Sequence, residues 1–244
     1  MKLSRNITTK IHYILDNFVP PVIRDSKFFM YIPFRIMFGK KMWIFLNFKE
    51  KAKDMSKEDF KSTNMSILDV LVDRMTDLNE ACIKEILRNI KGESVLEVGC
   101  GKGFLAKLLA VQGLSVTGMD LIVETLQNVR KNIRKNVIKN VDKNINFVSG
   151  DAEDIPFLNK KFDTVICTHT LEHVQNLSKT ISELRRVVKK RLIIVVPKQR
   201  SYKYTFDLHL HFFPYIETFI QVMGKSHKQK CVELGGDIYY QEDY

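Results

Sequence analysis

Ser94 to Gly103 reads SVLEVGCGKG. A short apolar run carries Glu97 near its end and closes on three glycines. Phe104 to Gln112 follow with a helical pattern that stops at Gly113. Glycines at a strand-to-helix junction let the backbone approach a ligand closely and permit positive φ. The spacing is GxGxG, with an acid two residues before the first glycine. A pyridine-dinucleotide fingerprint would need glycine at position 104, where Phe104 stands. A phosphate-cradling GxxxxGK loop ending in Ser or Thr is absent.

Working outward, the same rhythm repeats. SVTGMD (Ser115 to Asp120) reads as a second strand, NINFVSGD (Asn144 to Asp151) as a third and FDTVICTH (Phe162 to His169) as a fourth. RLIIVVP (Arg191 to Pro197) is a fifth, apolar throughout as a central parallel strand should be. Between them Ile122 to Val141 reads as an amphipathic helix, with Ile122, Leu126, Val129, Ile133 and Val137 on one face. Leu177 to Val188 and the region of Tyr215 to Met223 also read as helices. KCVEL and DIYYQ near the end form a candidate antiparallel pair. Strands alternating with helices predict an α/β fold: a Rossmann-like, doubly wound, mostly parallel sheet that binds ligands at the carboxyl ends of its strands.

Upstream the chain differs. Residues 1–65 read as a helical, aromatic N-terminal segment and 66–244 as the α/β body. Pro20 and Pro21 break the chain after a short apolar helix around Ile11 to Phe18. Phe28 to Phe48, FFMYIPFRIMFGKKMWIFLNF, is strongly apolar but carries Arg35, Lys40 and Lys41, with Pro33 and Gly39 as breakers. These interruptions argue against a membrane-spanning helix and leave a cap over a substrate site or a peripheral membrane contact. Lys49 to Lys61 reads as a solvated connector. Asn64 to Ile90 shows helical spacing.

The 244 residues are 45% hydrophobic and 27% charged, which excludes wholesale disorder. The net charge of +11 fits either an ordinary soluble surface or an anionic partner. Cys82, Cys100, Cys167 and Cys231 form no CxxC pair, so neither a structural zinc site nor a disulfide framework is expected. A reducing, cytoplasmic compartment follows. Met1 to Lys10 carries charge without the apolar run of a signal peptide.

Four elements in order, VLEVGCGKG, VTGMD, FVSGDAEDIPF and FDTVICTHTLEHV, resemble the class I S-adenosylmethionine (SAM) methyltransferases. The resemblance runs from about Glu80 to the C-terminus. It implies SAM as cofactor and S-adenosylhomocysteine as product. It places Glu97 near the ammonium end of SAM and Gly99, Cys100 and Gly101 in the binding loop. Asp120, with Leu121, would serve the ribose hydroxyls. Asp151 would accept the adenine amino group, and the backbone of Ala152 would read a ring nitrogen. Asp120 and Asp151 also fit a plain helix cap or turn acid. Thr168, a candidate cofactor contact, and His169 stand at the end of the fourth strand, facing the site. His169 is a candidate base or acceptor-orienting group, whereas Glu172 and His173 read as structural.

A second cluster, YKYTFDLHLHFFP (Tyr202 to Pro214), alternates Asp207, His209 and His211. On an extended chain these share one face. His209 and His211 are therefore candidates for acceptor contact, for structural bracing, or for a divalent metal, which the pattern allows without predicting it. No NPPY-like motif or nucleic-acid module is present. The aromatic, basic N-terminal segment and the PKQRSYKYTFDLHLHFFPY loop resemble methyltransferases of bacterial surface-polysaccharide clusters. That resemblance implies O- or N-methylation of a small anionic acceptor, phosphorylated or nucleotide-linked. An RNA or membrane-lipid acceptor, or a non-catalytic SAM-binding role, are the alternatives.

Overall fold

The computed structural model describes residues 14, 18–68, 75–122, 144–204, 206–224, 226 and 228–244. The helix expected over Ile122 to Val141, and most of that over Ile11 to Phe18, lie outside the described residues. The chain forms two compact units: Met1–Arg74 with Ser201–Leu210, and Met75–Arg200 with His211–Tyr244.

The larger unit is built on a seven-stranded sheet in the order β3-β2-β1-β4-β5-β7-β6. Its strands are β1 (Ser94–Val98), β2 (Ser115–Asp120), β3 (Ile145–Ser149), β4 (Phe162–Thr168), β5 (Val188–Pro197), β6 (Gln229–Leu234) and β7 (Asp237–Asp243). β1 to β5 run parallel, and β7 and β6 close one edge antiparallel, as the terminal pair predicted. The apolar run of β5 divides by period two. Leu192, Ile194 and Val196 enter one apolar layer, and Ile193 and Val195 enter the other. Burial on both faces is why this strand shows no polar alternation.

Among the described residues of this unit the α-helices are α4 (Glu80–Arg88), α5 (Phe104–Val111), α6 (Leu177–Val187) and α7 (Ile216–Met223), after α1 to α3 in the smaller unit. Cys82 and Ile86 of α4 and Leu105 and Leu109 of α5 line one layer. Ile181 and Leu184 of α6 and Phe219 of α7 line the other. The order of the strands reverses at β1, with β2 on one side and β4 on the other. Such a switch point opens a crevice at the carboxyl ends.

The smaller unit holds α1 (Lys27–Phe38), α2 (Met42–Lys51) and α3 (Lys57–Ser66). Of the helical spacing over Asn64 to Ile90, the described residues show the end of α3 at Ser66 and α4 from Glu80. Pro33 does not break α1, contrary to expectation: the helix runs through it. An interior proline costs about 3 kcal/mol. Met30, Phe34 and Phe38 offset this by burying one full stripe of the helix. Gly39 does stop it, with φ 55°. Phe38 stacks on Phe45 with ring centroids 3.7 Å apart. Residues 201–210 return to this core. Phe206 meets Phe34 edge-on at 5.0 Å, Lys49 Nζ donates to the Tyr202 carbonyl at 2.7 Å, and Arg24 lies 4.3 Å over the Tyr202 ring. Among the described residues, no helix is long and apolar enough to cross a membrane.

Asn79 joins the start of α4 to the β6–β7 turn. Its Oδ1 accepts from Cys82 N–H at 2.9 Å as the helix cap, and its Nδ2 donates to Leu234 O at 2.9 Å and Asp237 Oδ2 at 2.8 Å. Losing a cap and orphaning buried groups each cost on the order of 1 kcal/mol or more. Asn79→Ala is therefore expected to lower unfolding stability by about 2–3 kcal/mol in urea titrations. A change within experimental error would remove Asn79 from this role.

Candidate cofactor and acceptor site

The parallel register brings the ends of β3, β2, β1 and β4 side by side: Asp120 pairs with Ser149, and Val98 pairs with both Met119 and Cys167. The glycine loop leaves β1 at this edge. Gly99, Gly101 and Gly103 have φ of 73°, 48° and 65°, in the left-handed region that side chains resist. Gly99 and Cys100 both donate N–H to Met119 O, at 2.8 and 3.0 Å. A Cβ on Gly99 would strike Thr170 Oγ1 at 2.0 Å, whereas one on Gly101 would meet nothing within 4 Å. The loop is thus packed against Thr170 at its first glycine and open at its second.

Asp120 ends β2 and clasps the loop. Its Oδ2 accepts from Gly101 N–H at 2.8 Å and its Oδ1 from Ile122 N–H at 3.0 Å. Burial raises its pKa, and the N–H donors of Ile122, Gly101 and Leu121 pull the other way. A carboxylate offers about four acceptor positions, so capacity for hydroxyl donors remains. Leu121 contributes through this backbone donor.

Glu97 is 3% exposed. Burial, aided by the nearby Asp120 charge, pushes its pKa up to about 8, against an N–H donated by Ala106. Its Oε2 is buried without a hydrogen-bond partner. An orphaned buried carboxylate oxygen beside an open glycine loop fits a cationic ligand with its own N–H donors. The ammonium end of SAM is such a group, and neither Glu97 nor the loop would suit a phosphate. Cys100 fills space: a Cβ on Gly118 would lie 3.0 Å from its Sγ, and burial pushes its thiol well up.

Asp151 follows β3. Its Oδ1 accepts from Glu153 N–H at 2.9 Å, and its carbonyl accepts from Asp154 N–H at 3.0 Å. It is at least a turn acid, next to a nearly buried Ala152. Glu153 was not singled out from the sequence. It is buried, and its Oε1 accepts from Gln175 and Asn176 N–H, both at 2.9 Å, tying this turn to the start of α6.

At the end of β4, Thr168 is buried and its carbonyl accepts from Thr170 Oγ1 at 2.9 Å. His169 adopts φ 47° and donates N–H to Val195 O at 2.9 Å. Its Nδ1 lies 3.5 Å from Glu172 Oε1 and its Nε2 3.4 Å from Asp237 Oδ2. Burial alone would favour a neutral ring. The carboxylates of Asp237 and Glu172 outweigh it and raise the pKa to about 10. An imidazolium has no lone pair with which to take a proton at neutral pH, so this environment opposes the base role and favours orientation or electrostatics. Asp237 had no sequence signal at all: it stands in β7, far along the chain from the β4 motif.

The second cluster is divided. Asp207 and His209 belong to the smaller unit and His211 to the larger. Leu208, at φ 53°, interrupts the extended alternation expected of them. His209 is buried. His211 braces the loop after β4. Its N–H donates to Glu172 O at 3.1 Å, and its ring Nε2 lies 2.9 Å from the Val174 carbonyl, which requires the ring to donate.

Residues 96–196 match a family described as Methyltransferase domain. A ubiquinone biosynthesis O-methyltransferase of Dechloromonas aromatica is 39% identical over 101 residues, 41% of this chain and 42% of that protein. The chain spans less than half the length of the curated relatives it matches. Among solved structures, a SAM-dependent methyltransferase from Aquifex aeolicus superposes with TM-score 0.52 at 19% identity, over 77% of this chain and 99% of that one. A Pyrococcus horikoshii protein gives 0.56 at 18%, over 69% and 94%. The fold is that of the class I methyltransferases, and residues 96–196 are similar to a methyltransferase domain.

Two consequences are measurable. In the free protein, between about pH 4.5 and about pH 8, Glu97 holds a proton that the unfolded chain lacks, so its share of stability falls as pH rises through that window. A cationic ligand needs the carboxylate. SAM affinity is expected to rise from about pH 6 to about pH 7.5, below the titration of the ligand's own amino group near ~8. Glu97→Gln should weaken binding at least tenfold (~1.4 kcal/mol) and abolish that rise, with a melting temperature no lower than wild type at pH 8. Unchanged affinity by calorimetry would sink the assignment.

His169 has the opposite logic. Its charge contribution is full below about 6.5 and lost as pH rises through about 10. NMR of the ring carbons should find it still charged at about pH 8, and Asp237→Asn should lower its titration by about 1–2 units. A neutral wild-type ring at that pH would restore the base role.

Proposed function

We propose that the protein transfers the methyl group of SAM to an oxygen of a small molecule that is, or becomes, negatively charged at the reacting atom. The observation that carries this is the set at the carboxyl edge: the open Gly101 turn, the Asp120 clasp and the unpartnered Glu97 oxygen. SAM supplies an electrophilic methyl carbon on a cationic sulfur. The protein's part is to hold both partners in line, which can supply most of the rate. Asp120 fixes the loop and retains acceptor capacity for ribose hydroxyls. Glu97 faces the ammonium end. Asp151 and Ala152 are placed, after β3, for the adenine edge. The charged His169, fixed by Glu172 and Asp237, favours an acceptor oxygen that gains negative charge.

Oxygen is preferred to nitrogen because the relatives similar in sequence are named as O-methyltransferases of ubiquinone biosynthesis. Those names lend no support to a surface-polysaccharide precursor, and that narrower expectation is set aside. A fold of this kind hosts many chemistries, so the assignment rests on the site.

Calorimetric titration with S-adenosylhomocysteine is the test. Micromolar or tighter binding is expected, weakened at least tenfold in Asp120→Ala with far-UV circular dichroism preserved. Methyl-labelled SAM with matched hydroxyl and amine acceptors then distinguishes the acceptor atom. A folded protein that binds no cofactor product would overturn the proposal.

A further inference from the structure

The helix α1 is apolar on two opposite sides. Met30, Phe34 and Phe38 form its buried stripe, which already satisfies the smaller unit's core. Phe28, Ile32 and Ile36, also four residues apart, form a second stripe that is 86%, 59% and 78% exposed. Tyr31, between them, is exposed and meets the exposed Trp43 edge-on at 6.0 Å. Val22 and Phe29 are exposed as well. A water-soluble helix keeps a polar outer face, and an amphipathic interfacial helix keeps one apolar face. A stripe of large side chains left in water after the core is filled marks an interaction surface.

The charge of this segment indicates the partner. From Ser26 to Lys49 there are five basic residues, Lys27, Arg35, Lys40, Lys41 and Lys49, and no acidic one. Lys27, Arg35 and Lys40 are exposed. Long aliphatic and aromatic side chains with a surround of Lys and Arg complement an anionic lipid surface: acyl chains take the apolar stripe and headgroups take the cations. Tryptophan and tyrosine favour the level between the two. α1 spans 12 residues, too few to cross a bilayer.

We propose that the exposed Phe28–Ile32–Ile36 face of α1, with Tyr31 and Trp43, docks the protein peripherally on an anionic membrane. The docking does not depend on the methyl-transfer reading, because neither the surface nor its test uses the cofactor site.

Trp43 is the protein's sole tryptophan and reports directly on this surface. The full chain is mixed with phosphatidylcholine vesicles, with and without phosphatidylglycerol, and followed by co-sedimentation and tryptophan emission. Sedimentation with the anionic vesicles, a blue shift on binding, and weakening by salt are expected. The combined Phe28→Glu, Ile32→Glu and Ile36→Glu variant should lose at least tenfold in vesicle affinity, and Arg35→Glu with Lys40→Glu several-fold. These residues are exposed, so thermal stability should hold, and a melting curve confirms that each variant is folded. A folded wild type that sediments with neither vesicle overturns the proposal, as does equal binding to both. It is also overturned if the wild type is a dimer that the triple variant makes monomeric, or if RNA binding depends on Arg35 and Lys40 while vesicles are ignored.

Discussion

Asp120 accepts the Gly101 N–H through one carboxylate oxygen and the Ile122 N–H through the other. This pair of bonds sets the shape of the whole carboxyl edge. The loop after β1 has three glycines in left-handed backbone and would have no reason to hold one geometry alone. Asp120 holds its second glycine, Met119 O accepts from its first two residues, and Thr170 walls off the first glycine. The clasp is possible only because β1 and β2 are parallel and in register, so that both chains leave the sheet on the same side. An antiparallel neighbour would have put the acid at the far end of the strand.

The same edge gathers acids that water would solvate better. Glu97 and Asp120 are both disfavoured as anions by burial, and the Asp120 charge adds to the difficulty of Glu97. Hydrogen bonds from backbone N–H groups offset this for Asp120. For Glu97 one oxygen is left without any. A protein selected for stability alone would place an apolar residue there, as buried unpaired polar groups cost about 1–3 kcal/mol. An unsatisfied oxygen of this kind is the mark of a binding edge rather than of a core, and it supports the reading of Glu97 as a contact for a cation.

Most of this was legible in the sequence, for a physical reason. β1, β4 and β5 are apolar runs because a parallel strand buried on both faces tolerates little else. The motif residues sit where each strand ends, so strand prediction also placed Glu97, Gly99, Asp120, Asp151 and Thr168. What failed to show were partners distant in sequence. Asn79 and Asp237 meet across the turn of β6 and β7. Glu153 reaches the start of α6 through backbone N–H groups, which leave no trace in residue type. The return of residues 201–210 to the smaller unit is equally silent, because Phe206 and Tyr204 look like any aromatic loop residues. Pro33 misled for the converse reason. A local rule was overridden by a stripe of buried aromatics whose gain is larger.

His169 shows how little a residue type says about a role until its neighbours are known. A histidine closing the fourth strand suggests a base, since its ordinary titration lies near ~6.5. Two carboxylates within 3.5 Å change the chemistry. They favour the charged ring, whose backbone, at φ 47°, is held by Val195 O. A fixed cation cannot remove a proton, yet it lowers the energy of an oxygen that is losing one. The pairing of Asp237 and Glu172 around one imidazole thus argues for a charged ring and against a general base at this position.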